Sequence, residues 1–243
     1  MVKLIPHAFT ERPAYDTAIS RAILERVARG ELPDTIRLAR PGAMVAFGKQ
    51  DVSSPGYAGA ADAAREHGFD AVKRLAGGRA AVFHEQTVAF AWAQHNPDPW
   101  PGTHDRFRVV AGVLERALKR LGVDARTGEV PGEYCPGEYS VNARGKTKLA
   151  GIGQRIIKGG THIGGVIVVS GAARIRNVLI PVYDALALPW DPDTTGSIED
   201  ELGPVSFEDV TAAIRAELPA LEESTLDAAT LALAEQLELE HLG

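Results

Sequence analysis

Only one cysteine, Cys135, occurs among the 243 residues, so no internal disulfide can form and a reducing, cytoplasmic setting is the simplest expectation. The opening MVKLIPHAFTERP has no apolar core of the signal-peptide kind. The most apolar stretch, GGVIVVSGAA at 164–173, falls well short of the roughly 20 residues that a spanning helix needs. Neither secretion nor a membrane association is expected. Motifs are missing too: there is no H-E-x-x-H, no C-x-x-C, no Walker A loop, no G-x-G-x-x-G and no G-x-S-x-G elbow, so no metal site and no common nucleotide or serine-hydrolase signature is expected.

Acid is absent from one long segment. Between 139 and 183 stand Arg144, Lys146, Lys148, Arg155, Lys158, Arg174 and Arg176 without one Asp or Glu. Residues 185–243 hold fourteen acids against Arg215 alone, which divides a chain of net charge −6 into a body of +7 and a tail of −13. A basic body suits a small phosphate or carboxylate, although a solvated basic face explains the same run. Nucleic acid is not expected, because the pI is 5.7 and neither a recognition helix nor an aromatic platform is evident.

The remaining composition, 45% hydrophobic and 24% charged, is that of one large core. A helix is expected near 13–29, started by Pro13, then strands TIRLA and AMVAFG around the Arg40-Pro41-Gly42 turn. A helix near 58–67, a strand at AVKRL and two strands or one bent strand over 80–93 follow. Thr103 is placed to cap a helix with the stripe Phe107, Val110, Leu114, Leu118 and Leu121, closed by Gly122. Strands joined by tight turns fill 139–169, with Ala143-Arg144-Gly145 as a hairpin. Two acidic helices, capped at Ser206 and Ser224, end the chain over 206–241. These elements describe a single α+β domain over 1–243, with mixed sheets flanked by helices.

Three segments hold candidate chemistry. In Lys73-Arg74-Leu75-Ala76-Gly77-Gly78-Arg79 the paired glycines let a ligand approach the backbone while Arg74 or Arg79 adds charge; Gly-Gly is equally a plain turn. Lys148 precedes glycines at alternate positions, Gly151 and Gly153, and a lysine over an open pocket can neutralise a reacting carboxylate or phosphate, whereas most such lysines are merely solvated. Cys135, near several cations, is a nucleophile candidate, and a lone cysteine is also an ordinary small core residue. His84 and His162 adjoin these segments as ligand-binding or core histidines.

In this order the segments resemble the lipoate-protein ligase and octanoyltransferase family, which shares its core fold with biotin-protein ligases. Phe47-Gly48-Lys49-Gln50 is similar to its Gly-x-Gln element, Lys73 through His84 to its Arg-Arg-x-(Ser/Thr)-Gly-Gly signature, and Lys148 through Gln154 to its Lys-(Ile/Val)-(Ser/Ala)-Gly-x-Ala-Gln element. This chain departs at Lys73 and Ala76, has one extra residue between Gly78 and His84, and has Tyr139-Ser140 where ligases carry Asn-Asp. Cys135 before Pro136-Gly137-Glu138-Tyr139 looks like the octanoyl amidotransferase branch.

The resemblance implies attachment of octanoyl or lipoyl groups to a lysine of lipoyl domains, either of 2-oxoacid dehydrogenase complexes or of the glycine cleavage H protein. A transferase would use a thioester on Cys135, no cofactor, and acyl carrier protein or another lipoyl domain as donor. A ligase would use ATP and Mg²⁺ through lipoyl-AMP and, at this length, a separate accessory domain. A binder that keeps the fold without activity is a further alternative. The implied site is Lys148 and Cys135 as catalytic residues, with Arg74, Gly77, Gly78, Arg79, His84, Gly151 and His162 binding substrate. Lys148 is expected over a cleft floored by Gly77 and Gly78, either stabilising an oxyanion or activating Cys135. Val82, Phe83, Val88 and Phe90 are expected to line an acyl tunnel. The +7 body is expected to dock acidic carriers in a salt-sensitive way.

Overall fold

A computed structural model describes all residues, 1–243. Strand β1 (Val2–Ile5) leads to helix α1 (Pro13–Ala28), where Pro13 sits in the first turn. Then come β2 (Thr35–Ala39), β3 (Met44–Phe47), the single turn α2 (Lys49–Val52), α3 (Tyr57–Glu66) and β4 (Asp70–Lys73). The expected hairpin between TIRLA and AMVAFG does not form. β2 and β3 belong to different sheets, because Pro41-Gly42 redirects the chain; a β-carbon on Gly42 would lie 2.0 Å from the Thr10 carbonyl oxygen.

The 80–93 stretch divides into β5 (Ala81–Phe83) and β6 (Thr87–His95), with the buried Thr87 hydroxyl donating to the His84 carbonyl at the break. Helix α4 (Thr103–Leu121) buries Val110, Leu114 and Leu118 and ends on Gly122 at φ +107°. Its N-cap is Gly102, not Thr103, whose hydroxyl instead donates to the Trp100 carbonyl. After β7 (Ala125–Thr127), β8 (Val141–Ala143) and β9 (Thr147–Ile157) are joined by Arg144 and Gly145 at φ +57° and +71°, two left-handed residues of the kind that primed hairpin turns require.

Strand β10 (Gly160–Val168) is followed by α5 (Ala172–Ala185), a helix that the sequence pattern hides, because Pro181 interrupts it and Gly171 precedes it in place of a Ser or Asp cap. The acidic end forms α6 (Ile198–Leu202), α7 (Phe207–Ala216), β11 (Leu221–Glu223) and α8 (Ala228–Leu237). Ser206 caps α7 as expected; α8 is capped by Asp227 instead of Ser224, its carboxylate accepting from Thr230 N–H at 2.8 Å.

One sheet has eight strands in the order β11-β1-β2-β6-β10-β9-β8-β7, the other three in the order β4-β3-β5. α4 and α7 cover one face of the large sheet through a core including Leu38, Phe90, Leu114 and Ile214, and α1 with α8 close around Ile19, Ile23 and Leu237. α3 and α5 cover the small sheet through Phe47, Phe69, Leu179 and Tyr183. No helix is long and apolar enough to cross a membrane.

Candidate active site

The site lies between the loop leaving β4 and the loop before β8. Arg74 N–H still bonds the Phe47 carbonyl, 3.0 Å away, and the chain then leaves the small sheet. Gly78 turns at φ +117°, and a β-carbon there would meet the Arg74 guanidinium at 2.8 Å and Cys135 Sγ at 2.9 Å, so conformation and space both demand glycine. Gly48 packs beneath this turn: its own β-carbon would fall 1.7 Å from the Gly78 carbonyl oxygen.

In the second loop, buried Glu133 is the hub. Its Oε2 accepts from Val130 N–H at 3.1 Å, and Oε1 accepts from Gly137 N–H at 3.1 Å, the Ser140 hydroxyl at 2.5 Å and Lys148 Nζ at 3.0 Å. Lys148 is 1% exposed and also donates to the carbonyls of Tyr134 (2.9 Å) and Cys135 (2.7 Å). All three ammonium protons are thereby used. Cys135 is held at φ +44°, a conformation that non-glycine residues rarely adopt. Its N–H donates to the Tyr183 hydroxyl at 2.8 Å, and that hydroxyl donates to the Ala80 carbonyl at 3.0 Å. The thiol accepts from Arg79 N–H at 3.2 Å and from Arg74 Nη1 at 3.6 Å.

A cavity of about 400 Å³ brings together Cys135, Lys148, Arg74, Gly77, Gly78 and Gly151, six of the nine residues expected from the sequence. Gly151 leaves room for the lysine, since a β-carbon would stand 3.1 Å from Lys148 Cε. The Lys148 ammonium is bonded to the Cys135 carbonyl, not to the thiol. Arg79 contributes its backbone N–H only: its side chain turns to Gln50 (3.0 Å) and lies 3.1 Å from Asp51. Burial raises the Asp51 carboxyl from its ordinary value, opposed by Gly48 N–H and Arg79.

The histidines lie elsewhere. His84 is fully buried where β5 gives way to β6, against Gly171, and is not on the cavity wall. His162 lines a smaller cavity of about 80 Å³ that shares Arg74, Phe83 and Gly165 with the larger one. Of the four expected tunnel residues, Phe83 lines both cavities and Phe90 the smaller; Val82 and Val88 face the core. Glu133, Tyr183 and Gln154, which bonds Gly77 N–H through its carbonyl, were not legible as site residues. An acid fifteen positions before a lysine follows no periodic pattern, and Tyr183 sits on the unforeseen helix.

Burial, aided by Arg174 for His84 and by Arg37 and Arg74 for His162, holds both imidazoles at about 4, below the ordinary 6.5. The folded protein thus favours their neutral forms. The stability this contributes is present above pH 6.5 and is lost as pH falls toward 4. The melting temperature is expected to drop across that window, with a shallower slope in His162→Gln; identical slopes in the two proteins would refute this.

Residues 12–219 match the lipoyl protein ligase A/B catalytic domain. The octanoyl-[GcvH]:protein N-octanoyltransferase of Exiguobacterium sibiricum is 30% identical over 179 residues, covering 68% of this chain and 64% of that protein. The protein of the same name from Anoxybacillus flavithermus is 32% identical over 170 residues, covering 68% and 60%. The match thus spans less than two thirds of the length of either relative. A lipoate-protein ligase A solved with ATP shares the fold at a TM-score of 0.78 and 19% identity, with 98% of this chain and 94% of that one covered. With the family model matched over most of its length, and the Cys135, Lys148 and Gly77-Gly78 segments meeting at one cavity, this chain belongs to the lipoyl protein ligase A/B catalytic domain family.

Proposed function

We propose that the chain is an acyltransferase that moves an octanoyl or lipoyl group between lysines of lipoyl domains or H-protein-like carriers, through a thioester on Cys135. The observation that carries this reading is the thiol itself, set on the cavity wall against the Arg79 N–H and the Arg74 guanidinium. Sulfur is an intrinsically strong nucleophile, and both donors face the atom at which the bond to the acyl carbon would form.

The Cys135 sulfur attacks the carbonyl of the acyl-lysine amide; as the C–N bond breaks, the thiol proton passes to the donor nitrogen, which departs as the free lysine amine. The acceptor lysine amine then attacks the thioester, the C–S bond breaks, and the released sulfur takes the proton that the amine loses. One amide is consumed and one formed, so the exchange balances without ATP. Arg74, beside the reacting sulfur, supplies positive charge for the oxyanion of each tetrahedral intermediate. Lys148 acts as a positioning residue: with its protons committed to Glu133 and two carbonyls, it fixes the cysteine loop instead of taking the thiol proton. The names of the two relatives support GcvH as a carrier.

The ligase reading finds less support in the donor set. Mg²⁺ is usually held by one or two carboxylates together with substrate phosphates. Glu138 and Glu133 are near the cavity, and both oxygens of Glu133 are already engaged.

Incubation with an octanoylated carrier should add the mass of one octanoyl group to the peptide containing Cys135, and a lipoyl-domain lysine should then discharge it. A Cys135→Ala protein that still modifies the acceptor would overturn the proposal.

A further inference from the structure

Beside the two cavities runs a groove of about 470 Å³ whose wall includes Arg21, Lys49, Lys73, Arg74, Arg155 and Glu240. The cations come from separate parts of the chain: α1, the start of α2, the end of β4 with the loop after it, and β9. Of the 26 Lys and Arg residues, eighteen have a carboxylate within 4.0 Å. Four of the other eight, Lys49, Lys73, Arg74 and Arg155, meet in this groove. Glu240 is its one carboxylate and is taken up by Arg21 at 2.7 Å. Unpaired like charges gathered from three segments oppose folding by mutual repulsion, and the fold's own stability therefore does not account for them.

The groove wall also holds a buried acceptor. His241 is 4% exposed, and its Nδ1 donates to the Lys73 carbonyl at 2.7 Å, which leaves Nε2 of the neutral ring as an acceptor with no partner. A polypeptide offers both carboxylates for the cations and N–H groups for such an acceptor. Arg74 belongs to the groove and to both cavities, so whatever seats there lies next to the thiol.

We infer that this groove docks an acidic surface segment of the acylated lipoyl-type carrier, holding it while its acylated lysine enters the cavity. The inference rests on the transferase reading and names the docking site for its protein substrate. It localises to one groove the salt-sensitive docking that the charge of the whole body leads one to expect.

The test uses the full chain with Lys49→Ala, Lys73→Ala and Arg155→Ala combined, and two acyl donors. p-Nitrophenyl octanoate is small and uncharged, and should acylate Cys135 at an unchanged rate, releasing p-nitrophenol. With an octanoylated GcvH carrier at low salt, KM should rise by about tenfold or more, the scale expected when several steering charges are removed, with little change in kcat. Raising the salt should weaken the wild type and leave the triple variant nearly indifferent. An unchanged carrier KM overturns the inference, and so does an equal loss with the small ester, which would place these cations in the acyl pocket. If the ester leaves the wild-type thiol unmodified, the transferase reading fails. Calorimetric binding of the carrier then judges the groove by itself: weaker binding by the triple variant upholds it, and equal binding overturns it.

Discussion

Lys148→Met should cost about 3–5 kcal/mol of folding stability, the range found when one partner of a buried ion pair is removed. Here the charge left behind is Glu133, whose side chain is fully buried and has lost its only cation. The same substitution frees the carbonyls of Tyr134 and Cys135, whose bonds to Nζ help hold the cysteine at φ +44°, so thiol acylation should fall with stability. Adding Glu133→Gln separates the two effects. Removing the stranded charge should restore part of the stability in denaturant unfolding, because apolar or neutral replacement of both partners of such a pair is often tolerated. Acylation of Cys135 should stay low, since neither new side chain reaches the two carbonyls with a donor. A Lys148→Met protein with native stability and native acylation would show that the ammonium holds nothing in place.

The second large effect is expected at Gly48. Its φ of −75° and ψ of 164° suit any residue, so conformational freedom is not why glycine stands there. Space is: the added methyl of Gly48→Ala would lie 1.7 Å from the Gly78 carbonyl oxygen and 2.9 Å from its carbon, both backbone atoms. One loop must yield, at a cost near the top of the overpacking range, about 3 kcal/mol. Because the yielding segment carries the Arg79 N–H that faces the thiol, acylation should be lost beyond what the stability change explains. Gly145→Ala is the control. That glycine is at φ +71° with open space around it, so only the left-handed backbone penalty of about 1–2 kcal/mol applies, and the turn is remote from the cavity wall. Thermal melts and single-turnover acylation of both variants distinguish a packing role from a conformational one. Equal behaviour would refute the assignment.

What could be read from the chain follows from the range over which each signal acts. The helices at 13–28 and 103–121 announce themselves through apolar spacing within one element, and the 143–145 hairpin through its glycine. Cys135, Lys148 and the 77–78 pair emerge because each segment carries a local pattern, and the cavity gathers them. Glu133 does not emerge: its importance lies in bonds to four groups spread over residues 130–148, and nothing in its immediate neighbours announces that. The bonding of Lys148 is hidden in the same way. A lysine before alternating glycines reads as a free cation over a pocket, whereas its ammonium is saturated by a loop that lies thirteen or more residues earlier in the chain. His84 stands only six residues after Gly78 in the chain, yet it is buried away from the cavity wall, because nearness in sequence does not fix which side of a strand a side chain takes.

The phenol of Tyr183 accepts a hydrogen bond from the Cys135 N–H and donates one to the Ala80 carbonyl, so one ring staples the two jaws of the cleft to the same helix. Neither jaw can then breathe alone. A shift of either loop is thereby passed to α5 and through it to the other, so the width of the cleft is tied to one phenol.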